Sequence, residues 1–300
     1  MSAARGPGWS EAFARDASAA PLRARAELML SLADLAAAVA LRHFQSKSLV
    51  VDAKSDDSPV TVADREIELA LRTRILAQFP LDAVLGEEHG EIHGAAYADA
   101  RDAHSGGWRW IIDPIDGTVS FAAGVPLFAT LIGLEETGAA PEGRIRAGIC
   151  AMHALDERVW AVEGQGAWWD RHVAGAMRRE RAQVSRCAAL SQALVCTTGL
   201  EYFERARRID ALVAVARRAK RIRGWSDCYG GMLVATGRAD AWFDPVIHPW
   251  DSGPFPVILA EAGGVFTDFA GRVDVRGGSA IAASPALHAE LLRTIADSAG

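Results

Sequence analysis

The sequence predicts an α/β protein that has an α+β amino-terminal half and an α/β carboxy-terminal half. Two stretches near the start carry apolar residues at helical spacing, and several β-type runs follow one another between residues 126 and 162. After about residue 183, predicted strands and helices alternate. We therefore expect a loosely ordered tail over residues 1–21, a first half over 22–183 and a second half over 184–300.

The first half begins with two predicted helices. Residues 22–44 repeat Leu, Val and Phe at helical spacing, and residues 63–79 carry a second apolar stripe that ends before Pro80. A polar, turn-rich loop is expected between them, over residues 52–59. Residues 83–85 read as a short strand, and residues 91–107, which are polar and rich in Gly and Ala, read as a mobile loop.

The remaining elements follow from short apolar runs and the turn residues between them. A strand is expected over residues 108–112. Further strands are expected over 126–132, 145–152, 158–162, 193–197, 239–243 and 265–268, with helices over 202–219, 228–236 and 251–262 and a short extended piece over 220–223.

Composition excludes several classes of protein. The 300 residues are 50% hydrophobic and 23% charged, which is ordinary for a globular chain and excludes a disordered one. The net charge of −6 makes a basic surface for nucleic acid an unlikely default. Four cysteines form no CxxC pair, as expected in a reducing cytoplasm. The apolar run over residues 35–41 is too short to cross a bilayer, which needs about 20 residues.

The segment Asp113-Pro114-Ile115-Asp116-Gly117-Thr118 carries the strongest chemical signal. A predicted apolar strand ends in two carboxylates that can converge on one point. The glycine permits close backbone approach, and the threonine begins a helix whose free N–H groups suit an anion. Carboxylates beside an anion site are the arrangement expected for Mg²⁺, which prefers oxygen ligands and is often completed by substrate phosphates.

Other acidic residues lie at the ends of predicted elements. Glu87 and Glu88 follow a strand, Asp251 opens a helix, and Asp64 lies three residues after Thr61 at another helix start. Carboxylates at helix starts usually act as caps, so none of these is informative alone.

Taken in order, these motifs resemble the inositol monophosphatase superfamily of Mg²⁺-dependent, Li⁺-sensitive phosphatases. The resemblance spans roughly residues 22–297. It rests on Ser58-Pro59-Val60-Thr61 with Asp64, Gly86-Glu87-Glu88, Asp113 to Thr118, and Trp250-Asp251 followed by Glu261-Ala262-Gly263-Gly264. It implies a layered α-β-α-β-α sandwich of the inositol monophosphatase and fructose bisphosphatase type. It also implies a homodimer.

The resemblance implies a metal role for five residues. One Mg²⁺ would be held by Glu87, Asp113 and the carbonyl of Ile115. A second would be held by Asp113, Asp116 and Asp251, with Glu87 sharing a weaker third. The first half, over residues 22–183, is therefore expected to be the metal-binding half.

It further implies roles around the phosphate. Asp64 and Thr118 would orient and deprotonate the attacking water, and with Glu87 they are the expected catalytic residues. The backbone N–H groups of Gly117 and Thr118 would bind phosphate, and Lys54 would face the site.

Two carboxylates in the second half favour the histidinol-phosphatase branch. The segment Arg223-Gly224-Trp225-Ser226-Asp227-Cys228-Tyr229 resembles that branch, and Asp244 stands where the family has an acidic substrate contact. Histidinol phosphate carries an amine and an imidazole, so Asp227 and Asp244 suit its cationic leaving group. An inositol-1-monophosphatase or a broad sugar-phosphate phosphatase is the alternative activity. The alternative role for Asp227 is a structural one, as the cap of the following helix.

A binding protein is the alternative from another class. Residues 205–223 contain eight basic residues, which suits RNA or a partner protein as well as a solvated helix face. No aromatic residues are interleaved with them for base stacking, so nucleic acid is disfavoured.

Overall fold

The computed structural model describes residues 8–47, 49, 51–53, 59–94, 107–138, 143–225 and 227–298. Within them, the helices are α1 (Glu11–Arg15), α2 (Ala20–His43), α3 (Val62–Gln78), α4 (Thr118–Ala122), α5 (Leu200–Arg205), α6 (Ile209–Arg218), α7 (Cys228–Ala235), α8 (Pro249–Ser252), α9 (Phe255–Glu261) and α10 (Pro285–Asp297).

The strands are β1 (Val51–Ala53), β2 (Pro59–Thr61), β3 (Ala83–Gly86), β4 (Gly90–His93), β5 (Trp108–Asp116), β6 (Ala129–Glu136), β7 (Arg144–Met152), β8 (Glu157–Val162), β9 (Ala167–Val173), β10 (Ala176–Arg181), β11 (Leu194–Thr197), β12 (Arg221–Arg223), β13 (Ala241–Asp244), β14 (Val265–Thr267) and β15 (Ala280–Ala283).

The strands form two main sheets. The larger sheet has the order β10-β9-β8-β7-β6-β5-β3-β4, in which β3 and β5 are parallel and all other neighbours are antiparallel. The smaller sheet has the order β12-β11-β13-β15-β14, with parallel pairs around β11 and antiparallel pairs around β15. A separate hairpin joins β1 to β2.

The elements stack in five layers with three apolar cores, and the second core fills both sides of the middle helix layer. Alternate side chains of the large sheet point to opposite faces. On β7, for example, Ile149 belongs to the core under α2 and α3, whereas Cys150 belongs to the core shared with α7 and α9. The smaller sheet covers the far side of α7 and α9 and packs its other face on α6 and α10, as with Phe243. The order is α-β-α-β-α, so the predicted sandwich is confirmed.

Several local predictions differ from the structure. Residues 202–219 form two helices, because the chain turns at Arg207, whose φ is +55°. Residues 251–262 likewise belong to α8 and α9, which meet at Pro254. Part of the expected loop over 91–107 is strand β4, and residues 95–106 lie outside the described residues.

Two further differences concern segments with weak sequence signals. The hairpin of β9 and β10 was not predicted, because its charged and Trp-rich strands lack a continuous apolar run. Within the expected tail, α1 is capped by Ser10, and Phe13 is buried in the core under α2.

The large sheet ends at β10 and the smaller sheet begins with β11, so the predicted boundary near residue 183 falls in their connection. The division into two domains stays a prediction. No helix in the described part of the chain is long and apolar enough to span a membrane.

Candidate functional site

Three carboxylates from two distant segments meet at one end of strand β5. Asp113 and Asp116 lie on β5, and Asp251 lies on α8. One carboxylate oxygen from each of the three residues lies within 4.8 Å of the other two. Asp113 and Asp116 are buried and Asp251 is half-buried. Like charges held this close in a poorly solvated place repel strongly, so the cluster suits a bound cation.

A β-bulge brings Asp113 and Asp116 to the same side of the strand. Asp113 pairs with Leu131 and Asp116 with Ala129, so β5 has one more residue than β6 between these pairs. In a regular strand, residues three apart point to opposite faces. The extra residue changes that alternation, which explains how both carboxylates reach one point.

Close packing on the large sheet brings Asp251 to this point. A β-carbon added at Gly133 on β6 would lie 2.7 Å from the carbonyl oxygen of Gly253, directly after α8. A larger residue at position 133 would therefore push α8 away from the sheet. Asp251 is oriented further by its own helix, because its Oδ2 accepts a hydrogen bond from the His248 N–H at 2.8 Å.

Asp64 is both a capping residue and a candidate site residue. Its Oδ2 accepts from the N–H and the hydroxyl of Thr61, at 2.8 and 2.5 Å, in a capping box at the start of α3. Its Oδ1 is buried and has no hydrogen-bond partner among the described residues, and the same is true of Asp113 Oδ1. Such orphaned oxygens are rare in buried carboxylates and point to a ligand.

A buried ion pair on α3 positions the turn that carries Glu87. Glu68 and Arg72 follow Asp64 at intervals of four, so all three lie on one face of the helix. Glu68 accepts from the N–H groups of Glu88 and His89, at 2.7 and 3.1 Å, and from Arg72 Nε at 2.7 Å. The same helix face therefore orients Asp64 and the Glu87 turn together.

The loop after β5 turns tightly at Gly117, where the backbone packs closely against another segment of the chain. Gly117 has φ +83° and ψ +40°, and a β-carbon there would lie 2.7 Å from the Leu127 carbonyl oxygen. Only glycine fits both constraints. Thr118 donates its hydroxyl proton to the Ile115 carbonyl at 3.0 Å, which ties the start of α4 to the bulge.

Asp227 lies against this loop. A β-carbon at Gly117 would be 3.4 Å from Asp227 Oδ2. Asp227 has φ +55° and ψ −152°, an uncommon conformation for a residue other than glycine, and its side chain makes no capping hydrogen bond to α7. The interpretation of Asp227 as a residue whose side chain caps the helix is therefore wrong. The next residue, Cys228, donates its N–H to Asp116 Oδ2 at 2.6 Å, so α7 is joined to the carboxylate cluster.

Asp244 differs from Asp227 because both of its oxygens already have protein partners. Oδ1 accepts from Thr198 N–H at 2.6 Å and Oδ2 accepts from Trp242 Nε1 at 2.7 Å. It is buried at the end of β13. The described contacts give it a structural role, and its expected contact with substrate stays a prediction. Lys54 lies outside the described residues.

Tyr202 belongs to the same region and was not singled out from the sequence. Burial raises the pKa of its phenol, and the carboxylates of Asp227, Glu201 and Asp251 raise it further. The sequence offers no signal for this residue, because a lone Tyr at the start of a short helix has many ordinary roles.

The carboxylates raise one another's pKa values. Burial and then the charges of Glu87, Asp116, Asp251 and Asp64 raise the pKa of Asp113 well above its usual range. Burial and the neighbouring acids also raise the pKa of Asp251 to about 7, and burial raises that of Asp64 to about 6 against its hydrogen bonds from Thr61. In the absence of a cation, the folded protein resists full ionisation of this cluster.

These shifts predict that the metal-free protein loses stability as the pH rises. Asp64 and Asp251 have folded-state pKa values above the unfolded value near 3.8, so the folded state binds more protons from about pH 4 to pH 7. The free energy of unfolding therefore falls as pH rises through that window, by about 3 kcal/mol from Asp64 alone. We expect urea titrations of EDTA-treated protein to show this fall between about pH 4 and pH 7.

Saturating Mg²⁺ is the control for that measurement. A bound cation favours the ionised carboxylates and binds only the folded state, so it should abolish the fall at higher pH. A metal-free protein whose stability is unchanged or increases over this pH range would contradict the electrostatic description of the cluster.

The donor set fits a hard divalent cation. It consists of carboxylate oxygens with a backbone carbonyl nearby, and the buried Oδ1 atoms of Asp64 and Asp113 lack hydrogen-bond partners among the described residues. Oxygen-rich sites of this kind select Mg²⁺ and similar ions over soft metals.

Comparison with known proteins supports this description. The inositol monophosphatase family matches residues 23–299. The chain is 38% identical to the histidinol-phosphatase of Chlorobaculum parvum over 90% of this chain and 95% of that protein. It is 37% identical to the histidinol-phosphatase of Streptomyces coelicolor, over 87% and 92%. The crystal structure of extragenic suppressor protein suhB from Bartonella henselae superposes with a TM-score of 0.77 at 27% identity, covering 91% of this chain and 98% of that chain.

Proposed function

Since this chain belongs to the inositol monophosphatase family and is a metal-dependent phosphomonoesterase of that family, we propose that its substrate is L-histidinol phosphate. The products are L-histidinol and phosphate. The two relatives described above are histidinol-phosphatases that match most of the chain, which supports this choice.

The position of Asp227 is the observation that most supports histidinol phosphate as the substrate. Its carboxylate lies against Gly117, beside the expected phosphate loop, and it is not used as a helix cap. A negative group here repels a phosphate oxygen but attracts a cation attached to the ester. Histidinol carries such a cation in its amine, whereas inositol and most sugars carry only hydroxyl groups. The half-buried Tyr202 completes the polar surroundings of Asp227.

We propose that two or three Mg²⁺ ions are held by Glu87, Asp113, the Ile115 carbonyl, Asp116 and Asp251. When bound, Mg²⁺ supplies positive charge that stabilises the reacting phosphoryl group and makes an attacking water more acidic. The Gly117 and Thr118 N–H groups are proposed to hold phosphate oxygens.

Asp64 and Thr118 are proposed to orient the attacking water. Asp64 keeps Oδ1 available because its Oδ2 is engaged by Thr61, so Oδ1 is the oxygen that accepts the water proton. Thr118 donates its own proton to Ile115, so its hydroxyl oxygen is oriented to accept a hydrogen bond from the same water. Glu87 completes the proposed catalytic set, and the turn that carries it is held by the Glu68 side chain. The water attacks phosphorus in line with the leaving alcohol oxygen, and the phosphorus–oxygen ester bond breaks. The leaving oxygen takes a proton from solvent water, so that histidinol departs as the neutral alcohol group.

Phosphate release from two esters tests this function. In Mg²⁺, we expect a kcat/KM for L-histidinol phosphate at least about 100-fold above that for inositol 1-phosphate, and inhibition of both reactions by Li⁺. The factor reflects one charged contact made with only one of the leaving groups. A preference for inositol 1-phosphate or a sugar phosphate would contradict the substrate and leave the family activity in place.

The basic residues of 205–223 are distributed over α5, α6, β12 and the turns between them in the structure. Arg218 pairs with Glu290, Arg205 lies over the Tyr202 ring, and Arg221 and Arg223 are exposed on an edge strand. Charged residues at a sheet edge discourage pairing with other chains. The RNA- or protein-binding alternative and the homodimer both stay predictions.

A further inference from the structure

A chain of two hydrogen bonds leads from a buried histidine to the metal-binding bulge. The Thr130 hydroxyl on β6 lies 2.7 Å from the Pro114 carbonyl oxygen and 2.8 Å from His153 Nε2. A hydroxyl has one proton, and the carbonyl can only accept. Thr130 therefore donates to Pro114, and His153 Nε2–H donates to Thr130.

The bulge explains why Pro114 needs this partner. Between the pairs Asp113–Leu131 and Asp116–Ala129, the backbone ladder of β5 and β6 is interrupted. A buried carbonyl left unpaired is costly, and Pro114 has no N–H with which to form a ladder bond. The Thr130 side chain supplies the missing bond from the neighbouring strand.

His153 is suited to act as a permanent donor. It is buried, at 8% exposure, and packs near the Phe128 ring. Burial and the nearby positive charge of Arg158 lower its pKa to about 4. The ring is therefore neutral near pH 7, and the bond to Thr130 selects the tautomer that carries its proton on Nε2.

We propose that Thr130 and His153 are positioning residues, which hold the Pro114 carbonyl and so keep Asp113 and Asp116 aimed at one cation site. Neither residue touches the substrate. The inference rests on the metal assignment of the proposed function, and it adds two residues that act through the backbone of the bulge. Groups that orient metal ligands commonly change metal affinity by 10- to 100-fold when removed.

The protein contains a second threonine–histidine pair with almost the same geometry. Thr267 donates to the Asp268 carbonyl at 2.8 Å and lies 2.8 Å from His288 Nε2. Both threonines and both histidines are buried. Thr267 lies on β14, at the edge of the smaller sheet, and none of the hydrogen bonds described for this pair reaches a proposed metal ligand. Removing either hydroxyl leaves one histidine without its acceptor. The Asp268 carbonyl keeps a hydrogen bond from the Gly271 N–H at 3.1 Å, whereas the Pro114 carbonyl loses its bond from Thr130.

The experiment compares Thr130→Val with Thr267→Val. Mn²⁺ binding to the protein without substrate is measured by electron paramagnetic resonance, and the free energy of unfolding without metal by urea titration. We expect both variants to unfold at lower urea than the wild type, because each leaves a buried histidine without the hydroxyl that accepts its proton. Only Thr130→Val should weaken Mn²⁺ binding, by about 10-fold or more. Thr130→Ser keeps the hydroxyl and should restore most of the affinity.

Three outcomes would overturn the proposal. Wild-type Mn²⁺ affinity in a folded Thr130→Val variant would exclude the positioning role, as would equal weakening in Thr267→Val. If Thr130→Val does not fold, His153→Gln and His153→Leu replace it, because Gln keeps an N–H donor and Leu does not; equal affinities in these two would exclude the role of His153. A wild-type protein that binds no Mn²⁺ would overturn the metal assignment itself, whereas a protein that binds Mn²⁺ but does not hydrolyse histidinol phosphate would overturn only the substrate.

Discussion

Replacing Asp113 with Asn should lower kcat/KM for phosphate release by at least about 1,000-fold, which corresponds to about 4 kcal/mol of transition-state stabilisation. Asp113 belongs to the carboxylate cluster, and it is a residue proposed to contact two cations at once. Asn has nearly the same size but lacks the charge, so the fold should persist while cation binding fails.

The same substitution should stabilise the metal-free protein. Burial and four neighbouring acids raise the pKa of Asp113, so its negative charge opposes folding near neutral pH. Without metal, Asp113→Asn should therefore unfold at higher urea than the wild type, and added Mg²⁺ should reverse the order.

Asp52→Asn is the matched control for Asp113→Asn. Asp52 is exposed and pairs only with the exposed Arg65 among the contacts described, so neither activity nor metal-dependent stability should change by much. Turnover by Asp113→Asn within 10-fold of the wild type, in protein with a native circular dichroism spectrum, would refute the metal role of this carboxylate.

Replacing Asp227 with Asn should reduce the preference for histidinol phosphate over inositol 1-phosphate by about 10- to 100-fold. The estimate comes from the loss of one charged contact to the leaving group, worth about 1.5–3 kcal/mol. The change should fall on kcat/KM for histidinol phosphate. Hydrolysis of inositol 1-phosphate should be unchanged or faster, because a charge close to Gly117 has been removed from beside the phosphate loop.

The Asp244→Asn variant distinguishes the role of Asp244 from the role of Asp227. Both Asp244 oxygens are engaged by Thr198 and Trp242, so this substitution should lower stability and leave the substrate preference nearly unchanged. A change of preference in Asp244→Asn but not in Asp227→Asn would reverse the assignment and make Asp244 the residue that recognises the amine.

The carboxylate cluster could be predicted from the sequence because its signal is local. Asp113, Asp116 and Gly117 lie within five consecutive residues, and the physics of a strand end followed by a tight turn is contained in that segment. The convergence of Asp251 on the same point came from the family resemblance. The structure supplies its physical reason, since α8 packs tightly on the sheet at Gly133.

Other features depend on contacts between segments far apart in the chain. The apolar pattern predicted one helix over residues 202–219, yet the backbone at Arg207 divides it. The sequence left Asp227 as either a helix cap or a substrate contact, and only its backbone angles and missing capping hydrogen bond argue against the cap. Lone residues such as Thr130 and His153 have no periodicity or spacing that distinguishes them from ordinary core residues.

The sequence by itself determined the class of fold, the family and the carboxylates expected to bind metal, because hydrophobic periodicity and short motifs are properties of neighbouring residues. Only the tertiary structure decided which carboxylates lie close together and which already accept hydrogen bonds from the protein. It also decided which polar groups hold the β-bulge in place. Those properties depend on burial and on hydrogen bonds between strands and helices, such as those from Thr130 to Pro114 and from Cys228 to Asp116, and they exist only when the chain is folded.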